Sequence, residues 1–256
     1  MAYVIGFAGK GGTGKTTIAA LTVRYLMEKK KKAVMAVDAD SNSCLNEALG
    51  VKIHATIGKL REESLEQIRS GAARPGGMSM EQLFDFQVQQ SIIESKGFDL
   101  MVMGRPEGPG CYCAANNIIR KYTDKLSEKY NYVVIDNEAG MEHLSRRTTH
   151  AVDLLLVISD PTQKGLQTAR RIDSLVDELK LDVTKRKLIV NRVSGENFKK
   201  LRNSSIDDTQ FKEAFNVPED ENIFHLDLEG RPVFDLPQDS IAVKTIFEIL
   251  DSCDIP

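Results

Sequence analysis

The sequence predicts an α/β fold: a single domain built on a mostly parallel sheet flanked by helices. Three observations carry that prediction. Short runs rich in Val, Ile and Leu recur along the chain and mostly do not alternate with polar residues, as strands covered on both faces should read. Segments of helical periodicity lie between them. A glycine-rich loop, Gly9-Lys10-Gly11-Gly12-Thr13-Gly14, joins the first apolar run to the first helical one. A chain of 256 residues with 41% hydrophobic content can bury one substantial core and suits one domain better than two.

Taken in order, the expected strands are Tyr3–Ala8, Ala33–Asp38, Leu100–Met103, Tyr132–Asp136, Leu154–Ser159, Leu188–Val193 and Ile223–Leu226. A helix is expected from Thr17 to Met27. Another spans Gln163–Leu179, where Leu166, Ala169, Ile172, Leu175, Val176 and Leu179 fall on one face. Alternation of this kind gives right-handed crossovers and ligand sites at the carboxyl ends of the strands. Roughly sixty residues separate the second and third strands, where a crossover needs only about a dozen. Residues 54–97 therefore read as a helical insertion within the single domain 1–256, with helices at Ile57–Ser70 and Met80–Ser95 around a Gly- and Pro-containing middle. A last helix is expected from Ser240 to Cys253.

The glycine loop continues into Lys15-Thr16-Thr17 and fits G-x-x-x-x-G-K-[ST], the phosphate-binding loop. Polyphosphate oxygens want backbone N–H groups at close range, so the loop must be short on side chains and free to adopt unusual dihedrals. Lys15 is expected at the β/γ-phosphates of ATP, the Thr16 hydroxyl at Mg²⁺, and the helix amino terminus at the same charge. Strand, glycine loop and helix is the context this motif requires, and the domain is expected to be a P-loop NTPase.

Further acidic and amide groups fall at strand ends. Val37-Asp38-Ala39-Asp40 places Asp38 for the metal shell and Asp40 for orienting the attacking water. The apolar run Tyr132–Asp136 ends in the Walker-B position, Asp136, followed by Asn137-Glu138-Ala139-Gly140 to sense the γ-phosphate. Asn191 closes the sixth strand with an amide that can read an adenine edge.

Ala8 to Thr17, with Lys10 just after the first glycine, resembles the deviant Walker-A motif of the SIMIBI ATPases, among them the MinD/ParA proteins and the nitrogenase iron protein. The resemblance runs along nearly the whole chain. It implies an ATP-dependent homodimer in which Lys10 crosses to the partner's phosphates, Asp40 lies in switch I, Asp136 to Gly140 form switch II, and Asn191 lies at the adenine. Relatives often carry a proline-led contact to the base directly after the last strand. With that strand taken as Ile223–Leu226, the segment His225 to Pro232 departs from the pattern.

Gly110-Cys111-Tyr112-Cys113-Ala114 sets this chain apart within such a class. Two thiols supply half a tetrahedral set, and a two-fold axis through the loop would complete it with Cys111 and Cys113 of both chains, a set suited to Zn²⁺ or Ni²⁺. Together with Asn137 to Leu144 and Asp40-Ser41-Asn42-Ser43-Cys44, this Cys-x-Cys is similar to the CooC-type nickel-maturation ATPases of carbon monoxide dehydrogenase and of the acetyl-CoA synthase complex, where the accessory ATPase is termed AcsF. The resemblance implies an ATP-driven metallochaperone that loads nickel into such a client. Ala39 and Ser41 stand where relatives often have glycine and proline.

Two other classes are set against this one. A nitrogenase-iron-protein-like electron carrier would want a cysteine in switch II, and Asp136 to Leu144 contains none. A MinD/ParA-type positioning ATPase would want a basic amphipathic tail or basic surface for membrane or DNA. The net charge of −3 argues against nucleic acid as partner. Lys29–Lys32 reads as a solvated helix end, and no run approaches the roughly 20 apolar residues that span a bilayer. A cytoplasmic location is expected, with Cys44 and Cys253 as ordinary thiols and His54, His150 and His225 without ligand spacing, while His143, in switch II, could relay nucleotide state or visit the metal.

Overall fold

The computed structural model describes residues 2–70, 77–105, 129–138, 151–202, 206, 211 and 213–256. Its frame is a sheet in the order β3-β4-β2-β5-β1-β6-β7-β8. The strands are β1 (Tyr3–Gly9), β2 (Val34–Ala39), β3 (Ile93–Glu94), β4 (Phe98–Val102), β5 (Tyr132–Asn137), β6 (Ala151–Ser159), β7 (Asp182–Asn191) and β8 (Ala214–Val217). Every pairing is parallel except the short β3–β4 pair. The helices are α1 (Lys15–Tyr25), α2 (Leu45–Leu49), α3 (Ile57–Ser70), α4 (Met80–Ser91), α5 (Gln163–Glu178), α6 (Gly195–Leu201), α7 (Glu221–Leu228) and α8 (Ile241–Asp251). A π-helical turn, Leu26–Lys30, extends α1, and a 3₁₀ turn lies at Val233–Asp235.

The apolar strand runs follow from burial on both faces. Along β2, Val34 and Ala36 enter the core beneath α1 and α8, while Met35, Val37 and Ala39 enter the core on the other face with Ile57 and Val88. Along β6, Leu154, Leu156 and Ile158 face the first core, and Leu155 and Val157 pack with Leu166, Ile172 and Val176 of α5. α1 is buried nearly all round, which only a helix enclosed by its neighbours tolerates.

The chain fills one side of β1 with β2, β4 and β5, then the other with β6, β7 and β8. The loop after β1 thus lies where the winding reverses, the place open α/β sheets reserve for ligands.

Three expectations are corrected. Ile223–Leu226 is not a strand but the middle of α7, and the last strand is Ala214–Val217, paired with β7 from Leu188↔Ala214 to Asn191↔Val217. A four-residue apolar run is ambiguous by periodicity, and Asp220 decides it by capping the helix. The helix expected to reach Ser95 stops at Ser91, because Ile93 and Glu94 pair with β4. β6 and β7 both begin earlier than expected, at Ala151 and Asp182, since their polar outer halves pair with each other in register.

Asp220 organises the C-terminal part. Its carboxylate accepts hydrogen bonds from the backbone N–H of Asn222 at 2.9 Å and of Ala242 at 3.0 Å, and from the Ser240 hydroxyl at 2.6 Å. It therefore ties the amino termini of α7 and α8 together. Burial alone would raise its pKa, but these bonds outweigh it and hold the carboxyl below its ordinary range. Asp220→Ala should cost about 3 kcal/mol at neutral pH, from a lost cap and orphaned buried donors. Because the folded pKa is depressed, the penalty should fade as the pH falls below the ordinary carboxylate value of 3.8. Denaturant unfolding of both proteins across acid pH checks this.

Candidate functional site

Backbone conformation shapes the loop. Gly14 has φ of 91°, and a Cβ there would lie 2.4 Å from the Asn191 amide nitrogen. Gly9 is equally constrained, since its Cβ would strike the Ile158 carbonyl oxygen at 2.2 Å. Only glycine fits either place.

The loop's carbonyls are drawn away from its mouth. The Lys10 carbonyl accepts from the Thr13 hydroxyl at 2.9 Å and from Lys15 Nζ at 3.1 Å. The Gly12 carbonyl accepts from Arg192 Nη1 at 3.4 Å, and the Thr13 carbonyl from Asn191 Nδ2 at 2.8 Å. The backbone N–H groups of Gly11 to Gly14 meet no acceptor among the described residues, and Gly14 stands at the N-cap of α1 with no side chain to cap it. Unclaimed N–H groups at a helix amino terminus form an anion cradle.

Acidic groups close the site from the neighbouring strand ends. Thr16 Oγ1 donates to Asp136 Oδ2 at 2.6 Å, while Asp136 Oδ1 is buried with no hydrogen-bond partner among the described residues. Burial raises the Asp136 pKa to about 6, with the Asp40 charge adding and Thr16 and Lys15 opposing. Asp38 is fully buried. Its two oxygens accept the N–H groups of Asp40 at 3.0 Å and Leu45 at 2.9 Å, so it fixes the loop that carries Asp40. Burial first, then the Asp136 and Asp40 charges, push Asp38 up to about 7 against those two bonds. Lys15 is also buried, which lowers its pKa while Asp136 and Asp40 pull it back. An orphaned carboxylate oxygen beside a hydroxyl, in a pocket with three acids and one lysine, has the donor chemistry Mg²⁺ requires.

Switch I and the start of switch II touch, with Ser41 Oγ donating to Glu138 Oε1 at 3.1 Å. Asn137 reaches back to the Phe7 carbonyl at 2.9 Å. Lys10 is half-exposed and pairs with Asp160 Oδ2 at 3.7 Å. Asn191 holds the phosphate loop and also lines a cavity of about 830 Å³ with Thr17, Ile18, Pro218 and Phe224. Pro218 and Glu219 directly follow the last strand, Ala214–Val217, so a proline-led segment does border this cavity.

Sequence reading missed Asp160 and Pro218. Asp160 follows β6, the same strand-end signal that picked out Asp136, whereas Pro218 was hidden by the misplaced strand. Cys111, Cys113, His143 and the rest of switch II lie outside the described residues. Among the described residues no three His, Cys, Asp or Glu side chains gather closely enough to hold a metal by themselves, so Mg²⁺ at Asp136 and Thr16 would need nucleotide and water oxygens as well. Cys44 is exposed, and partial burial followed by the Asp38 and Asp40 charges raises its thiol pKa, so it is a poor thiolate. No helix among the described residues is long and apolar enough to cross a membrane.

The two raised carboxyls make a signed prediction. A carboxyl whose pKa is higher folded than unfolded stabilises in acid, and that contribution disappears as the pH rises through the folded value. Without nucleotide or Mg²⁺, the melting temperature should fall between about pH 4 and about pH 7, and Asp38→Asn should flatten that fall. Equal slopes in both proteins would contradict the burial assigned to Asp38.

Residues 4–233 match the CobQ/CobB/MinD/ParA nucleotide binding domain. An uncharacterized ATP-binding protein of Methanocaldococcus jannaschii is 39% identical over 248 residues, 97% of each chain. The carbon monoxide dehydrogenase accessory protein CooC of Rhodospirillum rubrum is 34% identical over 183 residues, 68% of this chain and 69% of that one. Among solved structures, an ATP complex of McdA from Cyanothece superposes with a TM-score of 0.69 at 18% identity, over 98% of this chain and 96% of that one. The chain belongs to the CobQ/CobB/MinD/ParA nucleotide-binding family and is one of its P-loop ATPases.

Proposed function

We propose that the chain is an ATP-hydrolysing maturation factor that carries nickel, or zinc at rest, between Cys111 and Cys113 of two subunits and promotes nickel insertion into a carbon monoxide dehydrogenase or acetyl-CoA synthase. The observation that carries this reading is a Cys-x-Cys in a chain whose remaining motifs belong to the ATPase, together with its likeness to CooC. A membrane- or DNA-positioning ATPase needs no such thiol pair.

In hydrolysis, water attacks the γ-phosphorus, the bond to the ADP oxygen breaks, and ADP, phosphate and a proton leave. The amides of Gly11 to Gly14 and the Lys15 ammonium hold the phosphate oxygens. Asp40, set by the bond from its N–H to Asp38, orients the water. Thr16 and Asp136, with Asp38 behind them, would hold Mg²⁺, which neutralises phosphate charge when bound. Lys10 leaves Asp160 to reach the partner's nucleotide, making ATP part of the dimer interface.

Lys15→Ala should lose ATP binding. Asp40→Ala should bind ATP yet hydrolyse it about a hundredfold more slowly. Lys10→Ala should lose the ATP-dependent dimer while monomers still bind nucleotide, because only a ligand shared by both chains stabilises their association. Sedimentation and phosphate release read all three, and an unchanged dimer in Lys10→Ala would remove the cross-dimer role.

The metal half has its own test. Titration of Ni²⁺ or Zn²⁺ into the purified protein should saturate at one ion per two chains. Affinity should fall as acid protonates the thiols, and Cys111→Ser and Cys113→Ser should each abolish the site. One ion per chain, or a site that survives both substitutions, would refute the shared-thiolate reading.

A further inference from the structure

At the amino ends of β2, β4 and β5, about 20 Å along the strands from the phosphate loop, lies a second cavity. Its volume is about 520 Å³, and Lys31, Lys32 and Lys96 line it. Met27 and Tyr130, both half-buried, give it apolar surface, above Val34 and Phe98, which are buried in the core. All three lysines are exposed, and among the described residues none is within ion-pair reach of a carboxylate. Asp99, the acid in the lining, is occupied by the Tyr130 hydroxyl at 2.5 Å.

The backbone holds Lys31 at a cost and sets Lys96 at a hairpin tip. Lys31 ends the π-helical turn with φ of 52°, in the left-handed region where a helix terminus normally uses glycine. Its N–H closes the turn on the Leu26 carbonyl at 2.9 Å. Lys96 stands at the tip of the β3–β4 hairpin, whose turn is closed by the Ser95 N–H on the Phe98 carbonyl at 3.0 Å. Gly97 follows with φ of 95°, packed so closely on Met27 that a Cβ would meet its methyl at 2.8 Å.

We propose that this cavity docks an acidic peptide segment of a partner protein, with one apolar side chain seated against the half-buried Met27 and Tyr130 and carboxylates meeting Lys31, Lys32 and Lys96. The charge pattern selects the occupant. A cluster of unpaired ammonium groups over apolar ground complements a carboxylate-rich segment with an apolar anchor. A cavity of this size admits one or two side chains, whereas nucleic acid would need a basic track in a chain that is net acidic. The place is remote from the nucleotide, so a docked partner leaves the phosphate loop open. The proposal stands whether or not the metal reading does.

Selection from a displayed library of short peptides on the full-length protein tests it, with counter-selection on the triple variant Lys31→Glu, Lys32→Glu, Lys96→Glu. Acid-rich peptides around one large apolar residue should be enriched. Their affinity should fall at least about tenfold in the triple variant and with added salt, while its ATP hydrolysis stays unchanged. Lys31→Gly separates function from folding. It should raise the melting temperature by relieving the left-handed lysine and still weaken the selected peptides. Absence of acidic enrichment, or peptides that bind the triple variant equally, would overturn the proposal. So would phosphatidylserine vesicles that bind wild type but not the triple variant while no peptide is selected, since a lipid surface would then be the occupant.

Discussion

The hydrogen bond from Thr16 to Asp136 is the contact on which the site depends. It joins the first turn of α1 to the end of β5 and leaves the other Asp136 oxygen buried and unclaimed. Around it the fold gathers Lys15, Asp38 and Asp40, more negative charge than one ammonium can balance. Such a pocket is costly when nothing binds it, because buried carboxylates lack the hydration they have in an unfolded chain. Their raised pKa values record that cost, and a bound cation with its nucleotide offsets it.

Everything that positions the bond is ordinary packing. β1, β2 and β5 lie side by side with both faces covered, so their carboxyl ends sit in a fixed register, with Phe7 opposite Asp136 and Asp38 opposite Asp136. α1 is enclosed by the sheet, α2 and α8, which leaves its amino terminus little freedom to drift from the acids. At its other end, Arg24 donates to the Val233 and Leu236 carbonyls, both at 2.9 Å, and fastens the C-terminal segment beneath the same helix. The rigid frame makes the loop's N–H groups a standing cradle instead of one assembled at each binding event.

Much of this was legible in the sequence, for physical reasons that can be named. A strand buried on both faces must be apolar throughout, so β1, β2, β5 and β6 announced themselves. A glycine loop between strand and helix has few other uses, and aspartates that end such strands point into one crevice. Legibility failed where one residue decides between two structures. Ile223 to Leu226 could have formed either element until Asp220 capped it, and that error concealed Pro218 beside the cavity. The Lys10–Asp160 pair was invisible because its partners are 150 positions apart in the chain. The lysines of the second cavity read as a solvated helix end, since nothing in sequence places Lys96 beside Lys31.

If unbalanced buried charge is what makes the site ready for its ligand, then ligand binding must displace protons from Asp38 and Asp136. Calorimetric titration of Mg·ADP at about pH 6.5, in buffers of different ionisation enthalpy, measures that release directly. Proton release that shrinks in Asp136→Asn and vanishes at about pH 9 is the expected result. Binding without proton release at about pH 6.5, or release unchanged in Asp136→Asn, would show that these carboxylates are not held in the state the fold assigns them.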